Sequence, residues 1–301
     1  MLRSLFTGIS GLRAHQMMMD VTGNNIANVN TNGFKGSAIT FQDTYSQMIE
    51  GASAPQAGPP DRGGVNPSQV GLGVRVAGMT TNFTQGATQS TGRATDVMLD
   101  GNGFFVVDSG GEQLYSRAGS FDFDRDGTFV NSEGAKVQGW QASNTGVFGP
   151  QDAASMGDIN LNDSAPLQPA GAPAGTPAEQ ALMGYRIGSD GVITGVYRAY
   201  DGQVTQQAVA RIAVATFANN GSLEKAGSSL YRESVNSGNV VIDPPGQGAA
   251  GTMSTGALEM SNVDLAQEFT NLIISQRGFQ ANSRVITSSD ELLQDLVNLK
   301  R

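Results

Sequence analysis

Three carboxylates at alternate positions, Asp122, Asp124 and Asp126, are followed by Gly127 and closed by Glu133. This is the full pattern of a calcium loop, in which alternating oxygens and a terminal bidentate glutamate surround the cation. Such a loop must lie between helices, and here Gly119 precedes it while Gly134 and Gly139 follow. Phe121 and Phe123 alternate with Asp122 and Asp124, which puts the rings on one face of a strand and the carboxylates on the other. Asp126-Gly127 supplies a turn, so the run predicts a solvated β-hairpin, with a calcium-binding module as the lesser alternative.

Other chemistry is scarce. There is no cysteine, which excludes disulfides, thiolate metal sites and a cysteine nucleophile. The single histidine, His15, lies in a helical pattern beside Gln16, where it reads as a packing or surface residue. Gly71, Gly73 and Gly78 lack the spacing and the following helix of a dinucleotide fingerprint. No catalytic residue, metal or cofactor is expected, and the chain is read as no enzyme. A net charge of -9 argues against nucleic acid, which needs a concentrated basic surface. No apolar stretch of bilayer-spanning length occurs, so no membrane insertion is expected. The N-terminal run Met1 to Asp20 lacks the small-residue cleavage site of a Sec signal peptide.

Proline divides the chain of 301 residues: all 11 prolines fall between Pro55 and Pro245, and both ends are periodic. Leu5, Leu12, Met19 and Ile26 recur every seven residues, with Ile9 on the neighbouring position. Phe269, Leu272, Phe279 and Ile286 step by threes and fours, and Leu292 and Leu296 continue the stripe. Both ends predict coiled-coil-like helices that pair with each other, the second capped by Asp264 or by Ser261 or Asn262. Between them Leu99–Trp140 and Tyr185–Ser222 alternate short apolar runs with Gly-containing turns, a β pattern. The expected class is α+β with a mainly antiparallel, hairpin-rich β domain. Its divisions are terminal helices over 1–30 and 258–301, an extended linker over 31–70, a discontinuous β domain over 71–140 and 185–257, and an irregular Pro/Ala/Gly-rich insertion over 141–184.

Asn24, Asn25, Asn28, Asn30 and Asn32 crowd the end of the first helix. Asn24 and Asn28 share a helix face, Asn28, Asn30 and Asn32 would share a strand face if the chain extends, and Asn32-Gly33 is a turn. Carboxamides both donate and accept, and asparagine tolerates left-handed backbone. The stretch therefore reads as a joint packed between subunits, with a loop of local Asx turns as the plainer alternative.

The N-terminal run "SLFTGISGLRAHQMMMDVTGNNIANVNTNGFKGSAITFQD" resembles the signature of the bacterial flagellar axial proteins, the rod, hook and hook-associated subunits. "ALEMSNVDLAQEFTNLIISQRGFQANSRVITSSDELLQDLVNLKR" resembles their C-terminal signature, and "GNGFFVV" and "YSRAGSFDFDRDG" extend the likeness through the middle. Within the family, "QRGFQANSRVI" and "VQGW" are similar to hook subunits, where distal rod subunits usually carry tyrosine at position 279 with alanine before it; distal rod is the alternative. The short insertion departs from the second, outer β domain of many hook subunits.

The resemblance implies a structural subunit of the flagellar hook, a flexible tube outside the cell that transmits torque from rod to filament. It would have paired terminal helices on its inner wall and β domains outside them. Implied partners are further copies of the chain, the distal rod protein, the hook cap and hook–filament junction proteins, and the flagellar type III export apparatus. Residues expected at assembly contacts are Leu5, Ile9, Leu12, Met19, Asn24, Asn25, Ile26, Asn28, Asn30 and Phe34 near one end, and Phe269, Leu272, Phe279, Asn282, Ile286 and Leu296 near the other.

Overall fold

A computed structural model describes residues 2–55, 63–143, 145–163, 166, 181–199 and 202–299. Two helices, α1 (Leu2–Ala27) and α2 (Leu265–Leu299), flank strands whose pairings are antiparallel throughout, so the chain is α+β. It divides into two units, one of residues 1–28, 36–82 and 263–301, the other of 29–35 and 83–262.

In the first unit the helices pack on each other, and α1 also meets the hairpin of Ser37–Asp43 with Val74–Thr81. Ser10 Oγ on α1 accepts the Val74 N–H at 3.3 Å, which fixes the helix to that strand. The expected N-cap is made by Asp264, whose Oδ1 accepts the N–H of Ala266 at 2.8 Å and of Gln267 at 3.3 Å. Residues 31–70 are not an extended linker: besides Ser37–Asp43 they hold a second hairpin of Ser46–Glu50 with Ser68–Gly71. The composition of that region is turn-rich and its apolar residues are few, so its pairings gave no periodic signal. Tyr45, Met48 and Ile49 stand exposed along this arm.

The second unit is built on a sheet of 13 strands. Strand Phe104–Ser109 lies inside it, between Lys136–Gln141 and Glu112–Ser116, with Val214–Thr216 pairing near its start. Both faces of this strand are covered, which is why its sequence is an unbroken apolar run rather than an alternation. Phe105 and Val107 enter one core with Leu99, Phe121 and Ile212, while Phe104 and Val106 enter a second with Tyr115, Trp140 and Tyr231. Rings meet edge to face in each, Phe105 with Phe121 at 5.0 Å and Tyr115 with Phe217 at 4.8 Å.

The segment 141–184 is less irregular than its composition suggests. A 3-10 turn at Ala153–Ser155 leads into the short strand Gly157–Asp158, which pairs with Gln138 and Gly139. Ile159 and Leu161 are then buried in the core, and the Leu161 carbonyl accepts Tyr197 Oη–H at 2.9 Å. Two apolar side chains at alternate positions were enough to add this stretch to the sheet, a pattern too short to stand out among the surrounding prolines and glycines. Residues 167–180 lie outside the described residues.

Trp140, the only tryptophan, sits in the second core and reports on this unit. Phe105→Ala removes a fully buried ring and is expected to cost about 3–5 kcal/mol. The check is urea denaturation followed by Trp140 fluorescence, with a lowered midpoint and an unchanged slope.

Candidate functional site

Ser4 Oγ lies 3.3 Å from Ser289 Oγ, and Asn25 Nδ2 donates to Glu268 Oε1 at 3.0 Å. Between these points Gly8 meets Ile286, Gly11 meets Asn282 and His15 meets Gly278. Residue numbers rise on one helix as they fall on the other, so α1 and α2 run antiparallel. The buried positions of this seam are small or polar: Ala14, Thr22 and Asn25 on α1, Ser275 and Ser289 on α2. A Cβ built on Gly11 would lie 2.6 Å from Asn282 Nδ2, and one on Gly278 2.4 Å from the His15 ring. A glycine inside a helix costs roughly 1 kcal/mol relative to alanine, and here it allows the two helices to approach closely.

Of the large apolar residues of the two stripes, Ile286 lies in the seam against Gly8. Ile9 and Phe269 are exposed, while Leu5, Leu12, Met19, Ile26, Leu272 and Phe279 are half-buried. Periodicity located the helices; it could not tell a seam from the stripe beside it, because small residues carry little hydrophobic signal. Asn282 and Ile286 do lie in the seam, and the Leu296 side chain is outside the described residues.

Residues 28–33 form turns, so Asn28, Asn30 and Asn32 share no strand face. Asn28 Nδ2 donates to Asn24 Oδ1 at 3.1 Å, one helical turn back, and Asn24 and Asn30 are exposed. Asn25 does more: it is buried, its Nδ2 also donates to the Ser37 carbonyl at 2.8 Å and its Oδ1 accepts the Ser37 N–H at 3.0 Å. One carboxamide thus holds α1, α2 and the first strand together.

The second unit contains a network that motif reading passed over. Glu259 Oε1 accepts Lys35 Nζ–H at 2.6 Å and the Gly86 N–H at 2.9 Å, and Oε2 accepts Arg117 Nη1–H at 3.4 Å. Lys35 also donates to the Thr84 carbonyl at 2.9 Å, and Arg117 Nη2 to that of Gly101 at 2.7 Å. All three charged side chains are almost fully buried. Burial pulls the Lys35 ammonium and the Arg117 guanidinium below their ordinary pKa values, and Glu259 opposes both shifts. Gly33, at φ +68°, brings its N–H to the Glu259 carbonyl at 2.8 Å, and a side chain there would collide with the backbone of Ala118. Phe34 is half-buried, with Lys225 Nζ 5.0 Å from its ring.

Residues 122–133 form a hairpin in which Phe123 pairs with Phe129 and Asp122 with Val130. Asp124 Oδ1 accepts the N–H of Asp126 at 2.9 Å and of Thr128 at 2.8 Å, and Asp122 pairs with Arg93 at 3.0 Å. Asp124 is thus engaged in the turn and Asp122 in a surface ion pair. Glu133, far from surrounding a cation with them, lies in the next turn, its N–H donated to Asn131 Oδ1 at 3.0 Å.

Tyr115 and Tyr231 lie in the core beside Arg117, and burial pushes both phenols up to about 12 from 10.0. Their folded-state values lie above the unfolded one, so they ionise more readily on unfolding and the fold weakens as pH rises from 10 towards about 12. Absorbance titration at alkaline pH should show Tyr115 and Tyr231 lagging in the folded chain, and the lag should be smaller in Y115F/Y231F.

Comparison with known proteins agrees with this architecture. Residues 5–35 match the family model "Flagella basal body rod protein", 98–195 "Flagellar hook protein FlgE/F/G D1 domain", and 254–299 "Flagellar basal body rod FlgEFG protein C-terminal". Lys35, Arg117 and Glu259 fall one in each. The flagellar basal-body rod protein FlgG of Bacillus subtilis is 44% identical over 302 aligned positions that cover the whole of both chains. The flagellar hook protein FlgE of Borreliella burgdorferi is 33% identical, again over the whole of both, but across 448 positions, so it carries residues this chain lacks. The hook protein FlgE of Treponema pallidum is 30% identical on the same terms. These are structural components of the flagellum rather than enzymes, and with full-length identities at this level the chain belongs to the flagellar hook and rod protein family.

Proposed function

We propose that the chain is a hook subunit, polymerising into the flexible tube that transmits torque from rod to filament. The observation that carries this reading is Gly278. It stands in the hook-like run Gln276–Ile286, at the position where distal rod subunits usually have alanine, and the His15 ring occupies the space an alanine methyl would need. Polymerisation is supported by the surface of the helix pair: the seam consumes small residues and leaves Phe6, Phe269, Ile273 and Ile274 half or more exposed. Exposed apolar side chains on both helices are then available for contacts with another chain. The half-buried Leu5, Leu12, Met19, Ile26, Leu272 and Phe279, together with Ile9, Phe34 and the asparagines from 24 to 30, are assigned to these contacts. Export through the flagellar type III apparatus and contacts with the distal rod, hook cap and junction proteins complete the reading.

A distal rod role is the second reading, favoured by the equal length of the Bacillus subtilis relative. Immunogold electron microscopy of detergent-extracted flagella, with antibody against Leu99–Trp140, separates them. Label along the short curved segment outside the envelope is the expected result. Label confined to the straight rod would establish the second reading, and no label on any flagellar part would overturn both.

A further inference from the structure

The first unit carries a groove of about 490 Å³ between α1 and the strand Val74–Thr81. Phe6, Ile9 and Met17 from the helix and Leu72 and Val76 from the strand side make it apolar. Its charged lining residues are Arg13 and Arg75, and no carboxylate lines it among the described residues. The same unit presents a segment of the opposite character. Residues 290–299 of α2 hold Asp290, Glu291 and Asp295 and no cation, with Lys300 and Arg301 following outside the described residues. Leu292 is 56% exposed and Val297 70%, and both lie beyond the last described contact of the helix seam, Ser4 with Ser289.

We propose that this acidic, apolar end of α2 docks in the arginine-bearing groove of a second copy of the chain. The inference rests on the self-assembly reading above and names the two surfaces that would meet. Exposed apolar side chains on each partner supply the burial, while Arg13 and Arg75 against Glu291 and Asp295 select the register and the partner. Two different patches on one chain make a heterologous contact, which propagates into an open helical polymer rather than closing as a dimer. The feature is one of pattern: neither surface would be complete alone, and they are complementary in both polarity and charge.

The test is a charge exchange in cells lacking the native gene. The groove variant R13E/R75E and the end variant E291K/D295K each place like charges opposite one another in every self-contact. Together they offer complementary contacts in both directions. Each variant alone is expected to abolish the flagellar structure seen by electron microscopy, and co-expression of the two is expected to restore it as a mixed polymer. Far-ultraviolet circular dichroism of the purified variants at the wild-type helical signal shows that α1 and α2 of the first unit, which carry three of the four substituted residues, remain folded, and Trp140 fluorescence at the wild-type value shows the same for the second unit. Assembly by either variant alone at the wild-type level would overturn the docking while leaving self-assembly intact, as would failure of the pair when both are folded. If deletion of the gene left every flagellar part unchanged, the self-assembly reading itself would fall, and the docking with it.

Discussion

Glu259 is a carboxylate buried among two cations, Lys35 and Arg117, with its remaining capacity taken by the Gly86 N–H. Burying any ion costs several kcal/mol, and here the charges compensate one another while the carbonyls of Thr84 and Gly101 each accept one further hydrogen bond, with Arg117 Nε left unpaired among the described residues. Its reach in sequence is long: Lys35 precedes the β region, Arg117 lies within it and Glu259 ends it. Without Glu259, Lys35 and Arg117 would be two like charges in a low-dielectric core, so the network ties the stability of the second unit to contacts between segments distant in sequence.

The first unit is held by a different logic. Its seam gives up hydrophobic area for close approach, with Gly8, Gly11 and Gly278 letting the helices come near and Asn25 anchoring both to the first strand. Each Leu or Phe left on the outside forgoes about 1.5–3 kcal/mol of burial in the single chain. That burial becomes available when another chain covers the surface, so assembly stabilises the helices by mass action.

Much of this was open to reading from the residues. Helix positions followed from spacing, the hairpin at 122–133 from alternating phenylalanines and an Asp-Gly turn, and the family from its terminal runs. The partner face of the helices was not, since Gly8, Ser275 and Ser289 have no hydrophobic periodicity to follow. Lys35, Arg117 and Glu259 were hidden for another reason: each reads locally as an ordinary surface charge, and only the fold brings them within hydrogen-bonding distance. They nevertheless sit in "NGFKGS", "YSRAGSF" and "ALEMSN", the runs that carried the resemblance, and the network supplies a physical reason for those residues. Ile159 and Leu161 were likewise lost in a segment whose average composition is that of a loop.

Glu259 neutralises both buried cations, so its removal must cost more than removal of either cation. Equilibrium unfolding of Glu259→Gln and Lys35→Met, both read by Trp140 fluorescence, tests this directly. A loss of about 3–5 kcal/mol is expected for Glu259→Gln, which leaves two cations buried without a counter-charge, and a clearly smaller loss for Lys35→Met, which leaves Glu259 paired with Arg117. Equal losses, or a Glu259→Gln chain as stable as the wild type, would contradict it.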